Sequence, residues 1–277
     1  MIKPMLAYKI GKKEIDFTQD VFMQPKLDGV RCLISKDGAY SRAGNEFKNI
    51  GHIVRRLRPF FKTHPNHVLD GELYNHKLKN DFEKIVSLVR KQILKPEDIN
   101  ESAKLVQFHL YDYYHPSNKN YSGRCFELSN WNIYGKYIKH VPTRMIATSD
   151  IANATHKIFT KNFGYEGSIL RLNGLYEHKR SYNLQKFKDF HDAEATIIGY
   201  EEGKGKREGT IGKFLMEDDD GIKFGCPPGK GFTYADMTDI LENIHDYIGK
   251  KATFTYFERT KANSYRHPLF KTLRNYE

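Results

Sequence analysis

The hydrophobic pattern changes character once along this chain, near Asp192, and that change limits what it can fold into. Before it, short apolar runs alternate with helical spacings. Val21-Phe22-Met23 and Val30-Arg31-Cys32-Leu33-Ile34 read as two strands with an Asp-Gly hairpin at Lys36-Asp37-Gly38. Ile53, Leu57, Phe60 and Phe61 then fall at i, i+4, i+7 and i+8, an amphipathic helix from Ile50 that stops before Pro65. Residues 68–74 and 106–114 are strand-like, and Asn80-Asp81-Phe82-Glu83 has the form of a capping box for a helix to about Gln92. Helices are expected at residues 126–138 and 151–163, and strands at 168–172 and 184–190.

Beyond Asp192 the elements shorten. Residues 193–200, 211–217 and 221–225 read as strands, with a glycine- and charge-rich turn at 202–209. Thr233 can cap a helix to about Tyr247, and residues 251–257 form a last strand. Short strands around one helix suit a small barrel such as an OB-fold. The expectation is an α+β chain of two domains, residues 1–190 and 191–277, the first built of antiparallel sheets with flanking helices. A length of 277 residues accommodates both.

No run approaches 18 consecutive apolar residues, so no membrane span is expected, and the first residues lack the apolar stretch of a secretory signal. Cys32, Cys125 and Cys226 are scattered and odd in number, which suits neither a disulfide framework nor a zinc site and points to a reducing cytoplasm. Lys and Arg number 45 against 34 Asp and Glu, a net charge of +11 that calls for an acidic partner, most simply nucleic acid.

The chemistry begins at Lys26-Leu27-Asp28-Gly29-Val30-Arg31, a KxDGxR pattern. A lysine can act as a covalent nucleophile only as the neutral amine, so its neighbours must favour loss of its proton. Ser41-Arg42-Ala43-Gly44 offers an arginine on a turn, suited to a phosphate. Asp70-Gly71-Glu72 ends an apolar strand in two carboxylates, suited to ribose hydroxyls or a hard cation. Tyr111 sits in an aromatic strand and can stack on a base. Glu166 stands at the mouth of the apolar strand Gly167-Ser168-Ile169-Leu170-Arg171, and Lys186-Phe187-Lys188 puts two cations on one strand face.

In this order the segments resemble the motifs of ATP-dependent DNA ligases, members of the covalent nucleotidyltransferase superfamily with an ATP-grasp-like adenylation domain. Lys188-Asp189-Phe190-His191-Asp192-Ala193-Glu194-Ala195 resembles the junction to their OB domain. Arg266-His267-Pro268-Leu269-Phe270-Lys271 is similar to the last motif of small viral and phage ligases. The resemblance spans about residues 3–274.

It implies an enzyme that seals 5′-phosphate/3′-hydroxyl nicks in duplex DNA during replication, repair or recombination, with ATP and Mg²⁺ or another divalent cation. Lys26 would carry the adenylate. Gln24, Pro25, Leu27, Arg31, Arg42, Glu72, Tyr111, Glu166, Lys186 and Lys188 would contact the nucleotide. Glu72 and Glu166 would also serve the metal, and Arg266, Lys271 and Arg274 the pyrophosphate. The partner would be nicked double-stranded DNA, the chain a monomer, and its place the cytoplasm, that of the host for a phage or virus. An RNA ligase or a GTP-dependent mRNA-capping guanylyltransferase shares the first step. The 25 residues before Lys26 leave no room for a further N-terminal DNA-binding domain. Residues 202–209 are also too few for the long hairpin by which some viral ligases latch around DNA.

Overall fold

The structure, a computed structural model, describes residues 2–260 and 262–274, and it divides into two compact units, Met1–Lys188 and Asp189–Glu277.

Two five-stranded sheets organise the first unit. One contains β1 (Leu6–Lys9), β2 (Val21–Lys26), β8 (Arg144–Ile146), β9 (Gly167–Leu172) and β10 (Arg180–Phe187), in the order β1-β10-β9-β2-β8. The other contains β3 (Val30–Ser35), β4 (Gly38–Tyr40), β5 (Val68–Tyr74), β6 (Gln107–Tyr114) and β7 (Ile138–His140), in the order β4-β3-β5-β6-β7. Pairing is antiparallel except at two edges, where β1 runs parallel to β10 and β7 parallel to β6. The Asp-Gly hairpin joins β3 to β4. β2, however, pairs with β8 and β9, so the chain changes sheets between Lys26 and Val30.

That crossing explains Gly29. A Cβ there would lie 2.4 Å from the Leu73 carbonyl oxygen and 2.7 Å from Glu72 Cγ. The glycine lets β5 close against the KxDGxR turn and bring Glu72 toward Lys26.

Helix α1 (Gly51–Thr63) buries Ile53, Leu57, Phe60 and Phe61, the spacing expected from sequence, against Leu69, Leu73, Phe108 and Leu110. Each such side chain removed from water contributes roughly 1.5–3 kcal/mol. Asp81, not Asn80, caps α2 (Phe82–Val89) through the Lys84 amide at 3.1 Å. Helix α3 (Pro96–Leu105) was not anticipated, although Pro96 at its first position and Glu97 and Asp98 in its first turn are start signals.

The helix expected at 126–138 starts earlier and ends sooner. Asn120 caps α4 (Tyr121–Asn130) through the Gly123 amide, and the chain then turns back to set Ile138 beside Phe108. Helix α5 (Ser149–Lys157) passes into a wider turn over Ile158–Asn162.

The second unit is one five-stranded sheet with a helix. The strands are β11 (His191–Glu202), β12 (Ile211–Glu217), β13 (Lys223–Cys226), β14 (Lys251–Tyr256) and β17 (Leu269–Leu273). A two-stranded hairpin, β15 (Glu258–Arg259) with β16 (Tyr265–Arg266), is inserted before β17, so residues 251–257 are not the last strand. Between the outer strands, Gly229 N donates to Phe270 O and Phe270 N to Pro227 O, each at 2.9 Å. Thr233 and Asp236 form the capping box of α6 (Tyr234–Glu242).

Candidate active site

Lys26 ends β2 directly opposite Gly167, the first residue of β9. Glu166 therefore sits beside the lysine, and its two carboxylate oxygens divide their partners: Oε2 accepts from Lys26 Nζ and Oε1 from Lys188 Nζ. The Glu166 side chain is only 4% exposed, so the two ammonium groups offset a charge that would otherwise be costly to bury. Gly167 makes this reach possible. A Cβ there would stand 2.3 Å from the Phe187 carbonyl oxygen, and the close approach of β10 carries Lys188 to Glu166.

Lys186 lies two residues before Lys188. Burial lowers both ammonium pKa values; Lys188 and Lys26 add to this at Lys186, and Lys26 adds to it at Lys188. Crowded cations in a partly dry site favour release of a proton from one of them.

The facing wall comes from β3, β5 and β6. Arg31 pairs in register with Glu72, but its guanidinium is committed elsewhere: to both Asp70 oxygens, with Nε to Oδ1 at 2.9 Å, and to the Met5 carbonyl at 2.6 Å. The Tyr176 hydroxyl donates to the same carboxylate at 2.7 Å. Burial pushes the Glu72 carboxyl up to about 8, against the pull of Lys26 and Arg31, so it is mostly protonated at neutral pH. The Tyr111 hydroxyl lies 3.4 Å from Glu72 Oε2.

Beneath these walls runs a buried polar network. Asp112, fully buried, accepts from Arg124 Nε and Arg171 Nη1, both at 2.7 Å. Arg171 Nε donates to Gln24 Oε1 at 2.7 Å, and Gln24 Nε2 donates to the Tyr121 and Thr143 hydroxyls at 2.9 Å. The Arg171 guanidinium lies 5.3 Å from the Tyr111 ring centre.

Together they enclose a pocket of about 210 Å³ lined by Ala7, Gln24, Pro25, Lys26, Leu27, Arg31, Glu72, Tyr111, Ile169, Arg171, Leu184 and Lys186. Eight sequence candidates are in that lining, and Glu166 and Lys188 join it through Lys26. Arg42 does not: it is exposed on the turn after β4. Lys271 and Arg274 belong to the second unit, where they pair with Asp192 and Glu194, the acids of the junction segment. Arg266 lies there too, over the Phe257 ring. The sequence assigns no role to Arg171 or Asp112, and Asp70, expected to face ribose or a cation, is instead taken up by Arg31 and Tyr176. The signal for the first two was charge at a strand position whose neighbours are apolar, as in Leu170-Arg171-Leu172.

The pocket thus combines two lysines, two arginines, one carboxyl and an aromatic ring. Residues 4–188 match the family model of the ATP dependent DNA ligase domain. The chain belongs to the ATP-dependent DNA ligases. Residues 202–274 match a DNA ligase OB-like domain, so the two units are an adenylation domain and an OB-fold domain. Among relatives of this ligase, the DNA ligase of African swine fever virus (Tick/South Africa isolate) is 28% identical over 305 residues, 97% of this chain and 70% of that protein. The DNA ligase of Enterobacteria phage T4 is 27% identical, over 89% of this chain and 62% of its own. A solved Lig E DNA ligase has the same fold, with a TM-score of 0.82 at 23% identity across 99% of this chain and 100% of that one. Chlorella virus DNA ligase-adenylate gives 0.54 at 25% identity, covering 100% and 99%.

Proposed function

We propose that Lys26 is the residue that carries AMP. Its Nζ lone pair attacks the α-phosphorus of ATP; the N–P bond forms, the bond to the β-phosphate oxygen breaks, and pyrophosphate leaves with the electron pair. Nζ, an ammonium at rest, first gives a proton to Glu166 to expose that lone pair, and the second proton it sheds as the N–P bond forms goes to water. The observation that carries this reading is the contact between Lys26 and Glu166 in a cation-crowded pocket. The 5′-phosphate of nicked duplex DNA then displaces Lys26, and the 3′-hydroxyl displaces AMP to close the strand.

The other residues position the nucleotide. Tyr111 offers a ring to the adenine. Glu72, protonated, can both donate to and accept from ribose hydroxyls. Lys186 and Lys188 neutralise the α-phosphate, and Arg31, held by Asp70, borders the phosphate path. Arg42 from its turn, and Arg266, Lys271 and Arg274 from the OB domain, serve the phosphates and the leaving pyrophosphate.

Mg²⁺ commonly uses one or two carboxylates and completes its shell with substrate phosphates and water. The residues present fit that pattern, since Glu72 lines the pocket and Glu166 stands beside Lys26, two carboxyl groups at the site. Glu166 and Glu72 are the two residues that would hold Mg²⁺. The cation supplies charge neutralisation on the phosphates.

We place the functional division at residues 1–190 and 191–277, and the chain acts as a cytoplasmic monomer on nicked duplex DNA. Among the described residues no helix is long and apolar enough to cross a membrane. The reading is tested by sealing of a 5′-phosphorylated nick with ATP and Mg²⁺. Wild-type protein converts it to the closed strand, Lys26→Ala fails, and Lys26→Ala closes a pre-adenylated nick. Sealing by Lys26→Ala from ATP would overturn the assignment.

A further inference from the structure

The edge of the β1–β10 sheet carries an aromatic pair that the pocket does not use. Tyr8 on β1 and Tyr182 on β10 stack with ring centres 4.1 Å apart and planes 8° apart, and Tyr182 is 39% exposed. Each ring has a cation over it: the Arg180 guanidinium is 5.7 Å from the Tyr8 centre and Lys13 Nζ is 6.0 Å from that of Tyr182. Arg180 is held by the Ala7 carbonyl, and Lys13 is exposed on the turn after β1.

Strand β1 is the outer strand of its sheet. Cations there have a simple reading, since charge on an edge strand deters pairing with another chain. The tyrosines work in the opposite sense. Exposed stacked rings on an open edge invite association unless a partner covers them, and a partner covering these must be anionic and accept hydrogen bonds. The charge of the two units narrows the choice. Residues 1–188 carry 32 Lys and Arg against 18 Asp and Glu, whereas residues 189–277 carry 13 against 16. The net positive charge thus lies in the unit that bears the tyrosines. The same strands also supply Ala7, Leu184 and Lys186 to the pocket. Tyr182 is four residues from Lys186, about 13 Å along the strand, or about four base-pair steps of duplex at 3.4 Å each.

Resting on the ligase reading above, we propose that Tyr8, Tyr182, Lys13 and Arg180 form a seat for the duplex DNA backbone about four base pairs from the nick. The phenol hydroxyls donate to phosphate oxygens, the cations neutralise them, and the stack keeps the hydroxyls in place. The test uses the full chain with Tyr8→Phe/Tyr182→Phe, which preserves the stack, and separately Lys13→Ala. The double variant should raise KM for nicked duplex about tenfold with kcat little changed, leaving the rate and yield of self-adenylation as in wild type. Lys13→Ala should reduce the slope of log affinity against log salt by about 1. Wild-type KM in the double variant, or an unaltered salt slope in Lys13→Ala, would overturn the seat. Slowed self-adenylation would also overturn it, placing these groups at the nucleotide. Failure of the ligase reading is distinguishable, because it would appear as absent self-adenylation in wild type, whereas the seat is also read by equilibrium binding of duplex DNA without ATP.

Discussion

Arg171 on β9 and Gln24 on β2 are joined by a 2.7 Å hydrogen bond between two side chains that are almost wholly buried. The bond fixes which way the Gln24 amide faces and ties two neighbouring strands together two residues before Lys26. Asp112 holds Arg171 from below, so the nucleophile proposed here stands on a buried charge network rather than on an apolar floor.

Removing one partner of such a network is expected to be costly, because the remaining charge loses its compensation in a dry site. Asp112→Asn, which leaves Arg124 and Arg171 without their carboxylate, should lower unfolding stability by about 3–5 kcal/mol. Arg171→Met should do the same and raise KM for ATP, since it also frees Gln24. Urea denaturation read by circular dichroism measures both. An Arg171→Met protein within about 1 kcal/mol of wild type would remove the network from the account.

Glu166 gives a second test. Glu166→Gln keeps the shape but removes the charge shared by Lys26 and Lys188, and with it the proton acceptor. Self-adenylation should fall at least about a hundredfold at neutral pH. Closure of a pre-adenylated nick should fall less. A variant that adenylates at the wild-type rate would show that Glu166 takes no proton.

Part of the acid lability should trace to His67, alongside His109, whose burial also lowers its pKa to about 4. His67 packs among Phe60, Trp131, Tyr113, His64 and His115, and burial, with His115 and His64 adding to it, lowers its pKa to about 4. The folded state therefore binds its proton less readily than the unfolded chain, whose histidines titrate near 6.5. Its contribution to stability is complete above about 6.5 and is lost as pH falls through about 4. Thermal melts from pH 7 to pH 4 should show Tm falling, and His67→Gln should flatten that limb. An equally steep limb in the variant would place the lability elsewhere.

Salt dependence separates the two units. If about five to eight phosphates are neutralised, log affinity for nicked duplex should fall against log salt with a slope of roughly −4 to −7. The basic excess lies in residues 1–188, so changing Lys204, Lys206 and Arg207 to Ala on the β11–β12 turn should alter that slope little. A slope halved by the triple change would move the grip on DNA to the OB domain.

Much of the fold is legible in the sequence. The α1 spacing, the Asp-Gly hairpin and the Thr233 cap are local patterns, and each formed where it was read, although the helix after Thr233 ends at Glu242 rather than near Tyr247. The site motifs stand out as polar residues that interrupt apolar runs, Lys26 at the end of β2 and Glu166 just before β9, whereas Glu72 and Tyr111 lie within strands. What stayed hidden depends on distant partners. Nothing local to Gly29 tells that the group it must admit is the Leu73 carbonyl of β5. Trp131, Ile133 and Tyr134 continue an apolar run that looks helical, but packing on β6 takes residues 138–140 into the sheet. Arg171 and Asp112 look like surface charges in a linear sequence, and their pairing with each other, with Arg124 and with Gln24 offsets the cost of burying them.

The central claim is that Lys26 forms the covalent adenylate, and labelled nucleotide tests it most directly. Wild-type protein incubated with α-labelled ATP and Mg²⁺, then run on a denaturing gel, should carry label that mass spectrometry places on Lys26. The same incubation with GTP should leave it unlabelled. Lys26→Ala and Lys26→Arg should carry none, arginine because it stays protonated and cannot attack. Label of normal yield on Lys26→Ala, or transfer from GTP in preference to ATP, would contradict the account.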